Sequence, residues 1–156
     1  MNRGANMIIR VQLKILLLII LLVPLSSCTN NTQEMPNDFN FSLEYGTYGK
    51  QKIDTFHNLV VKDLVENGTY EANIALTEEE KQLIYEEMMK LNIMELDLPR
   101  ETGCGVEPSS ISKWDIQMNA ETQNIYYKDF CDYPEEVRDL LKLEDFIHNI
   151  LTTKEE

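Results

Sequence analysis

Five side chains in this sequence stand out for their chemistry: the cysteines Cys28, Cys104 and Cys131 and the histidines His57 and His148. A cysteine supplies a nucleophilic thiolate, a metal ligand or half of a disulfide, and a histidine accepts protons near neutral pH or binds metal. Spacing narrows these options. The chain has no Cys-x-x-Cys and no paired histidines, so a redox dithiol or a metal site made with His57 and His148 has no motif behind it. Asp54 precedes His57 by three residues and forms the one base-and-orienter pairing in local reach, the minimum for a small hydrolase. His148 lies among Phe146, Ile147 and Ile150, a setting typical of a packed or surface histidine. Ser109 and Ser110 follow Pro108 without the Gly-x-Ser-x-Gly turn that exposes a nucleophilic serine. Glu78, Glu79 and Glu80 suit a helix start, Glu86 and Glu87 a solvated face, and no calcium-loop pattern accompanies them. The expectation is a protein without catalytic residues, metal or cofactor.

Cys28 is set apart by what precedes it. Arg3, Arg10 and Lys14 flank an unbroken apolar run from Ile15 to Val23, Pro24 breaks any helix, and Leu25-Ser26-Ser27 leads into Cys28. A positive segment, a short apolar segment and small residues before a cleavage point describe a secretory signal peptide, with Met7 as good a start as Met1. The run is too short to span a bilayer, which takes about 20 apolar residues. Leu25-Ser26-Ser27-Cys28 resembles the lipobox of bacterial lipoproteins. That resemblance implies acylation of the Cys28 thiol, removal of residues 1–27 and attachment to the outer side of the cell membrane. A single acyl chain binds marginally and two anchor stably, a condition that the implied diacylglyceryl group meets. Residues 28–38 are polar and aperiodic and read as a flexible tether, followed by one domain over 39–156.

Charge constrains the partners. Residues 1–27 hold three positive charges and no acidic ones, so their removal takes the net charge from −13 to −16 over the remaining 129 residues. Nucleic-acid binding requires clustered Lys and Arg, and lying flat on anionic lipid requires a polybasic stretch; an excess of carboxylates opposes both. A chain of this length forms one domain with a real core.

Hydrophobic periodicity supplies the elements. Phe39 to Tyr45 alternates apolar and polar residues and predicts a strand. Lys52 to Lys62 predicts one irregular second strand containing His57, and Asn67-Gly68 a hairpin turn into a third strand carrying Tyr70, Ala72 and Ile74. Thr77 with Glu80 forms a capping box, opening a helix to about Leu91 with Leu83, Ile84, Met88 and Leu91 as its apolar stripe. Trp114, Ile116 and Met118 mark a fourth strand. A turn at 120–123 leads to a fifth strand over 124–130, and a final helix follows Pro134. The predicted fold is α+β: an antiparallel sheet of about five strands in the order β-β-β-α-β-β-α, with both helices packed on one face.

In an oxidising compartment Cys104 and Cys131 remain as a pair. Folding the last two strands together places residue 131 opposite about residues 110–112, near enough to the Cys104 loop for a disulfide without enforcing one; free thiols remain an alternative. Tyr126 and Tyr127 are adjacent in a strand and must face opposite sides, and with Tyr45 and Tyr48 they form a candidate binding surface, since exposed tyrosine favours interfaces. Core packing is the competing role for each.

Phe41-Ser-Leu-Glu-Tyr-Gly46, Lys52-Ile-Asp-Thr-Phe56, Leu76-Thr-Glu-Glu-Glu80 with Ile84-Tyr85, Cys104-Gly-Val-Glu-Pro108 and Cys131 before an amphipathic helix occur in this order. In that order the chain resembles a family of small, functionally uncharacterised lipoproteins of Gram-positive bacteria. The resemblance implies a lipid-anchored extracytoplasmic location and contributes no catalytic residues. The expected function is a non-catalytic module that binds a protein or small-molecule ligand through its open sheet face or the Cys104 loop. The alternative is an inhibitor or immunity-type lipoprotein acting on a basic protein, which acidity suits; a hydrolase using His57 and Asp54 ranks third.

Overall fold

A computed structural model describes residues 33–98 and 104–154. The signal segment, Cys28 and the first part of the tether lie outside the described residues.

Six antiparallel strands form one sheet: β1 (Asn40–Thr47), β2 (Gln51–Asp54), β3 (Leu59–Asp63), β4 (Thr69–Asn73), β5 (Ser110–Met118) and β6 (Glu121–Lys128). Their spatial order is β4-β3-β2-β1-β5-β6. Helix α1 (Glu78–Lys90) and helix α2 (Glu135–Thr152) complete the α+β architecture, with a 3-10 turn over Ile93–Glu95. There are six strands where about five were expected, because the stretch from Lys52 to Lys62 folds back on itself. Asp54 accepts the His57 backbone N–H at 3.2 Å, Asn58 takes a positive φ of 54°, and the supposed single strand becomes β2, a turn and β3. His57 therefore sits in a turn, and not in a strand.

Alternation in β1 and β5 has its expected consequence. Phe41 and Leu43 of β1 stand beside Ile116 and Trp114 of β5, and all four are fully or almost fully buried. Phe39 meets Tyr85 of α1 edge-on, with ring centroids 5.3 Å apart, so α1 covers the same face that α2 reaches through Val137, Leu140, Ile147 and Leu151. On α1 the buried stripe is Ile84, Tyr85 and Met88, whereas Leu83 is half exposed.

The capping box forms as the sequence predicts. Thr77 Oγ1 accepts the Glu80 N–H at 3.2 Å and the Glu80 carboxylate accepts the Thr77 N–H at 2.7 Å. Lys154, just past α2, approaches the same carboxylate at 2.6 Å and donates to the Ala75 carbonyl at 2.9 Å, joining the end of one helix to the start of the other. Burial raises the Glu80 pKa, but Lys154 and Thr77 outweigh it and hold the carboxyl below its ordinary value. Thr77→Ala is expected to cost about 1 kcal/mol, read as a shift in denaturant midpoint at unchanged slope.

The β5–β6 turn is tighter than predicted. Asn119 and Ala120 both take positive φ, 54° and 61°, giving a two-residue connection. Alanine is a poor residue for that conformation. The Asp38 carboxylate holds it there by accepting the N–H groups of Asn119 and Ala120 at 2.9 and 2.7 Å. The β3–β4 connection also differs from a simple Asn-Gly turn, since the positive-φ residues are Val65 and Gly68 and the Leu64 N–H reaches the Gly68 carbonyl at 2.8 Å.

Residues 33–38, read from sequence as tether, lie against the domain. Gln82 donates to the Gln33 carbonyl at 3.3 Å, Met35 packs on the core, and Asp38 holds the β5–β6 turn. The incoming chain, the β2–β3 turn and the β5–β6 turn thus share one end of the sheet. The β1–β2 turn, the β3–β4 loop and both cysteines share the other.

Candidate functional site

Asp54 and His57 do meet. The Asp54 carboxylate lies 3.0 Å from His57 Nδ1 and 3.5 Å from the Lys52 ammonium. Burial works to raise the pKa of Asp54, but the hydrogen bonds and charge of His57, with Lys52, keep it below its ordinary value. The His57 ring is largely exposed. Such a pair can orient an imidazole, but among the described residues no serine, threonine or cysteine is hydrogen-bonded to that ring. The same bonds hold the β2–β3 turn closed.

A second group was not singled out from sequence. Glu144 of α2 is buried, and its Oε1 accepts hydrogen bonds from Ser112 Oγ and, at 2.7 Å, from the Tyr127 hydroxyl. The Trp114 indole N–H lies close enough to favour the charged carboxylate yet makes no hydrogen bond of good geometry. One turn further along α2, His148 Nδ1 is 3.1 Å from the Tyr45 hydroxyl. Tyr45, Ser112 and Tyr127 form a single row across β1, β5 and β6, so α2 lays Glu144 and His148 over one polar stripe of an otherwise apolar face. Burial raises the Glu144 pKa, and burial with the Glu144 charge raises that of Tyr127. A signal for this site existed in the sequence: Glu144 interrupts the apolar positions Val137, Leu140, Ile147 and Leu151, and Ser112 precedes Trp114, Ile116 and Met118 on the inward face.

The four tyrosines proposed as a surface do not share one. Tyr127 is buried on Glu144, and Tyr45 is half-buried against His148. Tyr126 lies exposed on the open face of the sheet, where Lys52 and Glu44 pair at 3.5 Å and Lys113 and Asp115 at 3.5 Å. Tyr48 is exposed at the tip of the β1–β2 turn and donates to Glu107 at 2.7 Å.

Cys104 and Cys131 lie at disulfide distance, with Cα atoms 5.1 Å apart. The tighter β5–β6 turn pairs Ile111 with Lys128, a register that would bring Cys131 level with Pro108 and closer to Cys104 than the expected turn allowed. The Cys104 N–H donates to the Asp129 carbonyl at 3.2 Å, fixing the loop beside the end of β6. Among the described residues no group of side chains has the make-up of a metal site, and no helix is long and apolar enough to cross a membrane. Comparison with family models, curated proteins and solved structures gives no match to this chain.

Proposed function

We propose that the chain is an extracytoplasmic lipoprotein: a small α+β domain anchored through Cys28 that binds a partner without catalysing a reaction. The observation that carries this reading is the Cys104–Cys131 pair at disulfide distance, in a domain whose docked residues begin five positions after a lipobox cysteine. Paired thiols belong to oxidising compartments, and the segment ending at Cys28 is the kind that delivers a chain to one. Acidity adds that the anchor is lipid and not a basic surface.

Labelled palmitate fed to expressing cells is expected to mark the wild type and to leave Cys28→Ala unmarked, with the variant released from membranes. Mass spectrometry of the non-reduced protein is expected to find no free thiol at Cys104 or Cys131. Equal labelling of the two proteins removes the anchor from this reading.

A further inference from the structure

Eight large apolar side chains are exposed among the described residues, and five of them, Tyr48, Leu64, Val65, Tyr70 and Val106, gather at the end of the sheet opposite the incoming chain. The turns bearing them are tied together: Lys50 pairs with Asp63 at 3.9 Å, the Tyr48 N–H donates to the Ser109 carbonyl at 2.9 Å, and Tyr48 bonds Glu107. Two of the five carry a second cost. Val65 is 81 % exposed at φ 61°, and Tyr48 is 54 % exposed at φ 54°. A β-branched residue is strained in the left-handed region, where glycine or asparagine fits without penalty. At Val65 the backbone is strained and the apolar side chain is left in water, so folding gains from neither.

We infer that this end of the sheet is a docking surface for a cationic, amphipathic segment of another protein. The inference rests on the binding reading above and assigns it a place and a partner class. Charge supports the partner class: Glu66, Glu107 and Asp132 are exposed around the apolar group with Asp63 beside them, against Lys50, which Asp63 engages, Lys62 opposite Tyr70, and Lys128 at the end of β6. The path of the chain supports the place. With residues 33–38 docked at the opposite end, Cys28 and Gln33 can be at most about 18 Å apart. The apolar end then stands a further strand length, about 26 Å for the eight residues of β1, from the anchored side.

The test uses the lipidated protein in zwitterionic vesicles and a synthetic amphipathic peptide of lysine and leucine, with an all-lysine peptide for comparison. Binding of the lysine–leucine peptide is expected to exceed that of the all-lysine peptide and to weaken with salt. Tyr48→Ala, Val65→Ser and Val106→Ser are each expected to weaken it about tenfold, while Leu83→Ser and Tyr126→Ala leave it unchanged. Val65→Asn separates a binding role from a structural one: it is expected to raise the melting temperature by about 3 °C while lowering affinity. If the wild type ignores the peptide, or Tyr126→Ala weakens binding and the three substitutions do not, the docking assignment is overturned. Palmitate labelling of Cys28 is read separately, so a protein that is anchored but binds nothing at this end retains the anchor and loses the surface.

Discussion

Glu144→Ala is expected to destabilise the domain by about 2–4 kcal/mol, because it strands two buried hydroxyls, Ser112 and Tyr127, and opens a cavity under α2. Glu144→Gln keeps a neutral acceptor in place and behaves differently with pH. Burial raises the folded-state pKa of Glu144 above its unfolded value. The folded protein therefore holds this proton more tightly than the unfolded chain. The contribution is fully present below the unfolded carboxylate range and is lost as pH rises through the folded pKa. The stability of Glu144→Gln relative to wild type is thus expected to increase as pH rises above the ordinary carboxylate range. Taking the difference between the two proteins removes Asp54 and Glu80, whose lowered pKa values act in the opposite direction. Denaturant melts of both proteins at several pH values make the measurement, and a flat difference would remove the buried-carboxyl account.

Removal of the cysteine pair is the second large effect. A bridge closing residues separated by 27 positions restricts the unfolded chain by about 3–4 kcal/mol in the loop-entropy account. The double variant Cys104→Ser with Cys131→Ser is expected to be less stable by that amount, read as a lower denaturant midpoint, and to ignore reductant. Reductant is expected to bring the wild type down to the same midpoint. A wild type indifferent to reductant would mean that the thiols are not bridged.

The parts of the fold written in local pattern were legible in advance. The alternation of Phe39, Phe41 and Leu43, the capping box at Thr77 and Glu80, and the opposed faces of Tyr126 and Tyr127 each depend on neighbours in sequence, and each has its expected place. The split of the second strand was not legible, because it depends on Asp54 closing a turn through His57 and on Asn58 in a left-handed conformation. The β5–β6 turn was misplaced for a related reason. Asn119 suits the left-handed region but Ala120 does not, and the pair is held in that conformation by Asp38, a residue far away in sequence. Glu144 could have been noticed as a carboxylate on an apolar helix stripe. Its partners came only from the way α2 crosses the row of Tyr45, Ser112 and Tyr127. The exposed end of the sheet likewise emerges only when three separate loops are brought together.

The strand made first, β1, lies in the interior of the sheet between β2 and β5. As the chain is made amino end first, β2 can pair with β1, β3 with β2 and β4 with β3. The other flank of β1 must wait for β5, about sixty residues later. Throughout that interval a row of unpaired peptide groups is open to any passing extended segment. Slow completion of the chain therefore lengthens the period of vulnerability to mispairing.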